Sequence, residues 1–78
     1  MSFAEQEVLT AVYDLAGGRA VLIPYDKVAA RLGTTITAVK TISILLQSHK
    51  LAIVTFGGVQ LTSAGLEQAN NDSAVYSD

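Results

Sequence analysis

Lys27 and Arg31 stand four residues apart, and two like charges one helical turn from each other favour an anion between them. Lys40 adds a third cation, and Thr34, Thr35, Thr37, Thr41, Gln47 and Ser48 bring hydroxyls and an amide to the same stretch. With Val39 as the inward reference of a helix, a turn of about 100° per residue sends Ile42 and Leu46 inward too. Thr37, Thr41, Ile44 and Ser48 then face outward, with Lys40 and Gln47 on a flank. Cations beside small hydroxyl side chains suit phosphate oxygens and base edges: threonine methyls touch thymine, and Gln47 can pair with adenine. No arginine lies in the row for a bidentate contact to guanine, so base reading by this helix is expected to be modest.

The same inventory points away from bond-making chemistry. Catalysis needs a nucleophile with its base, a carboxylate pair, or a metal on several ligands. This chain has one histidine and no cysteine. Gly17-Gly18 and Gly57-Gly58 are too short and isolated to cradle a phosphate. An enzyme is not expected, nor is a cofactor or a metal. His49 falls in the last turn of its helix, where an imidazolium suits the dipole, and reads as a capping or surface group.

At 78 residues the chain is long enough for one small core. Half of it is hydrophobic, which suggests that some apolar surface meets a partner. Its net charge of −2 conceals a polarity. Between positions 19 and 50, the bases Arg19, Lys27, Arg31, Lys40 and Lys50 stand against one acid, Asp26; the flanking segments hold six acids and no base. A molecule polarised this way can turn a positive face to phosphate despite its acidic total. The absence of cysteine is compatible with a reducing compartment. Apolar runs such as Ala20–Ile23 stop far short of the roughly 20 residues that cross a bilayer, so the expected location is cytoplasmic, with no membrane partner.

The elements that must position these groups follow from periodicity. Ser2-Phe-Ala-Glu5 has the spacing of a capping box and starts a first helix, whose apolar stripe is Val8, Leu9, Val12, Tyr13, Leu15 and Ala16. Glu5, Glu7 and Asp14 are expected toward water, and Gly17-Gly18 ends the helix. Ala20–Ile23 reads as a brief strand or extended connector cut off by Pro24, which opens a second helix running to Leu32. Gly33 closes it in a left-handed conformation. Thr34 and Thr35 can cap the third helix, which extends to Ser48 or beyond. Leu51–Phe56 and Val59–Thr62 pattern as a hairpin, with Gly57-Gly58 supplying positive φ at the turn. Thr62 caps a last helix over 63–69, and residues 71–78 are expected to form a flexible tail after a domain spanning 1–70. Phe3, Tyr13, Tyr25 and Phe56 read as core fillers.

This order resembles the winged helix-turn-helix family of small prokaryotic and phage regulators. Val28-Ala29 with Leu32-Gly33 looks like its second helix, Val39, Leu46 and Leu51–Val54 like its third helix entering the wing, and Leu61-Thr62 with Gly65-Leu66 like the closing stretch. The implied fold is α+β, mainly α: a three-helix core, a short β-hairpin wing and a short C-terminal helix. The resemblance implies a DNA-binding transcriptional regulator, a homodimer, with the third helix in the major groove of double-stranded DNA. Lys27, Arg31, Thr34, Thr35, Thr37, Lys40, Thr41 and Gln47 are the candidate DNA contacts. The alternative is a winged helix that serves as a protein interaction or assembly module, with Ile44 and Leu45 as its apolar patch. The chain departs from the family in three places. Lys50 stands where a glycine often precedes the wing, so an ordinary helix exit is expected there. The tip Gly57-Gly58 lacks arginine or lysine, and no long dimerisation helix is expected.

Overall fold

The computed structural model describes the backbone of residues 1–76 and the side chains of residues 1–72. In chain order the elements are α1 (Phe3–Leu15), α2 (Tyr25–Leu32), α3 (Ile36–Ser48), β1 (Ala52–Val54), β2 (Val59–Leu61) and α4 (Ser63–Tyr76). This is an α+β fold, mainly helical, whose order of helices and hairpin is compatible with a winged helix.

The capping box forms at the start of α1. Ser2 Oγ accepts from the Glu5 N–H at 3.2 Å, and the Glu5 carboxylate accepts from the Ser2 N–H at 3.3 Å and its hydroxyl at 2.9 Å. Val8, Leu9, Ala11 and Val12 enter the core. Glu5 departs from the expectation of a water-facing carboxylate and is only 8% exposed.

Between α2 and α3 the chain reverses at Gly33, whose φ of +66° is open to glycine at no steric cost. The N–H groups of Gly33 and Thr34 donate back to Ala30 and Ala29 carbonyls, satisfying the end of α2. Thr35 then caps α3, its Oγ1 accepting from the Ala38 N–H at 3.1 Å. The two helix axes turn through 106°, within the range of about 90–120° that defines a helix-turn-helix.

Val39 and Leu46 lie fully buried on α3, as their spacing predicts, and the helix packs on α1, α2 and β1. Ile42 is only half-buried, and Ser43 occupies the fully buried place beside that ridge. The inward centre of α3 is thus rotated slightly toward Ser43. Its Oγ has no hydrogen-bond partner.

In the hairpin, Ala52, Ile53 and Val54 pair with Leu61, Gln60 and Val59 in antiparallel register. Ile23 exchanges two backbone hydrogen bonds with Val59, at 2.8 and 2.9 Å, so the expected strand before Pro24 shrinks to a single bridging residue. The turn differs from expectation: neither Gly57 nor Gly58 has positive φ. Gly58 is required instead by a close approach, since a Cβ there would lie 2.2 Å from the Ile23 carbonyl oxygen. Lys50 takes the positive φ, at +63°, so the corner before β1 is the left-handed bend that a glycine would make more cheaply, not an ordinary helix exit.

Thr62 Oγ1 accepts from the Gly65 N–H at 3.1 Å and donates to the Lys50 carbonyl at 2.7 Å, which caps α4 and ties it to that corner. α4 continues to Tyr76, well past Ala69, and at 14 residues is the longest of the described helices. The expected short helix is corrected accordingly. Of the tail expected over 71–78, residues 71–76 have helical backbone and residues 77 and 78 lie outside the described residues.

Two substitutions in α3 test this packing by urea unfolding. Leu46→Ala should cost about 2–5 kcal/mol through the cavity it leaves. Ser43→Ala should raise stability by about 1 kcal/mol, because it removes a buried hydroxyl that bonds nothing.

Candidate nucleic-acid interface

The outward side of α3 is built as its periodicity predicts: Thr37, Thr41, Ile44 and Ser48 are all exposed. Their chemistry is more apolar than their composition suggests. Thr41 Oγ1 donates to the Thr37 carbonyl at 3.0 Å, and Ser48 Oγ donates to the Leu45 carbonyl at 2.6 Å. Each hydroxyl keeps its oxygen free as an acceptor, and the surface it leaves is dominated by methyl groups and by Ile44, which is 55% exposed. Leu45 and Ile36 are exposed as well, so both members of the expected apolar patch reach solvent.

Gln47, on the flank, is engaged with the hairpin. Its Oε1 accepts from the Val54 N–H at 2.7 Å, joining α3 to β1. Reading adenine takes both the oxygen and the nitrogen of a glutamine side chain, so Gln47 would have to share with the base the oxygen that already holds β1. Thr35 Oγ1 accepts in the α3 cap, and its hydroxyl hydrogen remains able to donate. Thr34 is exposed beside it in the turn.

The cations divide into two groups. Arg31 Nη2 meets Asp14 Oδ2 at 3.4 Å, an exposed pair that fastens α2 to α1. Arg31 is therefore not half of an anion clamp with Lys27. It lies instead on a groove of about 480 Å³, lined by Phe3, Glu7, Ala11, Asp14, Leu32 and Asp72 among others, to which α3 contributes nothing. Arg19, Lys27, Lys40 and Lys50 form no ion pair among the described residues. Lys40 Nζ sits 5.4 Å from the centroid of the Tyr25 ring. That ring is buried, its hydroxyl donates to the Thr55 carbonyl at 2.6 Å, and burial raises its pKa above the ordinary 10.0. The Tyr25 hydroxyl thus stays a neutral donor, and Lys40 is steered along the flank of α3 that faces the hairpin.

Two aromatics are not core fillers. Phe3 is 74% exposed and Phe56, at the hairpin tip, is fully exposed. A short apolar run at a turn carries no periodic signal from which its direction could be read. A second missed contact joins elements far apart in sequence: His49 Nε2 lies 3.4 Å from Glu5 Oε2, bringing the exit of α3 against the entry of α1. No spacing rule reports such a pair.

Among the described residues no single helix is long and apolar enough to cross a membrane. No protein-family model matches the chain, and no curated protein or solved structure matches it either.

Acid should weaken the cap at the start of α1. The Ser2 hydrogen bonds, with a smaller contribution from the nearby His49, hold the Glu5 carboxyl below its ordinary value of 4.5. A carboxylate lowered on folding adds stability that is complete above its unfolded pKa and is lost as pH falls through the folded one. Thermal melts between about pH 6 and pH 3 should therefore show stability dropping below about 4.5, with a smaller drop in Glu5→Gln.

Proposed function

We propose that the chain is a small winged helix-turn-helix protein that binds double-stranded DNA, and that it acts as a transcriptional regulator with α3 in the major groove. The observation that carries this reading is the uncovered outward side of α3. Thr37, Thr41, Ile44 and Ser48 are all exposed among the described residues, and the helix stands at 106° to α2. A major groove about 12 Å wide admits such a helix with its small side chains against the bases. Threonine methyls and Ile44 would meet thymine methyls, while Lys27 and Lys40, which pair with no carboxylate among the described residues, would neutralise phosphates. Arg31 would join them only by leaving Asp14. With few base readers in one module, two copies acting as a homodimer on paired half-sites would supply the affinity that one lacks.

Exposed Ile44 and Leu45 favour a second reading, in which this side of the helix is an assembly surface for protein. Ile44→Asp separates the two. Loss of self-association or partner binding with duplex affinity intact would assign the face to protein.

The main reading is tested by fluorescence anisotropy of a labelled mixed-sequence duplex across a salt series. Affinity should fall steeply as salt rises, and Lys27→Glu and Lys40→Glu should each weaken binding and flatten the log–log slope by about 1. Absence of binding to any duplex at about 50 mM salt overturns the proposal.

A further inference from the structure

The groove beside Arg31 runs the length of α1. Phe3, Glu7, Thr10 and Asp14 all border it, and their spacing of three and four residues sets them on one side of that helix. At about 1.5 Å of rise per residue, the chain from Phe3 to Asp14 covers about 16 Å. Arg31 and Leu32 close the groove from α2, and Asp72 closes it from α4. A volume of about 480 Å³ over that length leaves a cross-section of about 30 Å², roughly 5–6 Å each way. That is a slot for one unbranched chain. A helix, about 10–12 Å across with its side chains, does not enter it.

Its lining is of two kinds. Ala11, Leu32 and the largely exposed Phe3 are apolar. Three carboxylates, Glu7, Asp14 and Asp72, share the groove with one cation, Arg31, which leaves a net charge of −2. Arg31 is already engaged by Asp14, so the excess falls on Glu7 and Asp72, and neither meets a cation among the described residues. Asp72 has one oxygen on the Gln68 amide at 3.2 Å, and the other bonds nothing. No base follows Lys50 in the sequence, so α4 brings no cation to this wall. A cleft lined by one sign of charge over low-dielectric walls gathers counter-ions.

Charge and width together narrow the occupant. Phosphates and carboxylates are repelled. A second copy meeting this face across a two-fold axis would set six carboxylates against two arginines, which opposes that contact. A neutral chain would cover Glu7 and Asp72 and return no charge to them. An ammonium on a methylene stem suits both kinds of wall, since the stem is apolar and the head offers three donors.

We infer that this groove binds a linear aliphatic polyamine, with its methylenes along Phe3, Ala11 and Leu32 and its ammonium groups beside Glu7 and Asp72. No residue of α3 takes part, so the site stands independently of the DNA-binding reading.

Two probes, 1,4-diaminobutane and 1,8-diaminooctane, carry the same two charges on chains of different length. Heteronuclear NMR titrations and thermal melts at about 20 mM salt read their binding. The longer diamine should bind at least about tenfold more tightly, shift Phe3, Glu7, Thr10 and Leu32 most, and raise the melting temperature. Glu7→Gln should weaken it about fivefold. Asp26→Asn, which alters an exposed carboxylate outside the groove, should leave its affinity unchanged. Phe3→Ala should narrow the difference between the two diamines. Equal affinity for both diamines in the wild type, or equal losses in Glu7→Gln and Asp26→Asn, reduces the effect to general counter-ion attraction and overturns the site. So does binding of octanedioate as tight as that of the diamine, or the absence of shifts with either diamine at about 10 mM. A basic amphipathic peptide that shifts these residues where the diamines do not assigns the groove to a protein and also overturns the proposal. Failure to bind duplex overturns the DNA-binding reading alone.

Discussion

Two fully buried side chains on one helix, Val39 and Leu46, fix where everything else in this chain can go. They lie seven residues apart, about two turns of α3, and so define a ridge along its middle. α1 and α2 close on that ridge from one side and β1 from another, which leaves one direction of α3 uncovered. The outward threonines owe their exposure to this arrangement. Each residue of α3 faces where it does because burial of the ridge, worth several kcal/mol in so small a domain, sets the rotation of the helix.

Much of this was legible because it is local. Ser2 with Glu5, Gly33 and Thr35 each act on backbone groups within a few residues, and their roles follow from spacing alone. Helix phase was nearly as readable, although the choice of Ser43 over Ile42 for the buried place was not: hydrophobicity argues for isoleucine, whereas the room available between packed helices favours the smaller side chain. The bends were misread for a related reason. Glycine was expected to supply positive φ in the hairpin, but that turn needs its glycine for clearance from Ile23, and the left-handed corner falls on Lys50. The hydrogen bond from Thr62 to the Lys50 carbonyl holds that corner from twelve residues away.

The candidate interface was legible in outline and not in its bonding. Composition showed where the cations, hydroxyls and apolar residues fall along α3, and the structure exposes those it was expected to expose. What each polar group does depends on neighbours that no periodicity reveals. Arg31 meets Asp14 across the α1–α2 contact, Gln47 reaches β1, and the hydroxyls of Thr41 and Ser48 turn back on their own helix. The face that results is smoother and less polar than its residue names imply, and its electrostatics rest on Lys27 and Lys40 more than on the full set of five bases.

The contact of Gln47 with Val54 also bears on how copies of this protein can meet. A two-stranded sheet ordinarily leaves a row of backbone groups on each side that can recruit a strand from another chain and seed aggregation or strand exchange. Here Ile23 occupies the outer side of β2 at Val59, and the Gln47 amide occupies the outer side of β1 at Val54. Near its tip each border of the hairpin thus has backbone groups engaged by the same protomer, which leaves fewer of them open to a strand from another chain.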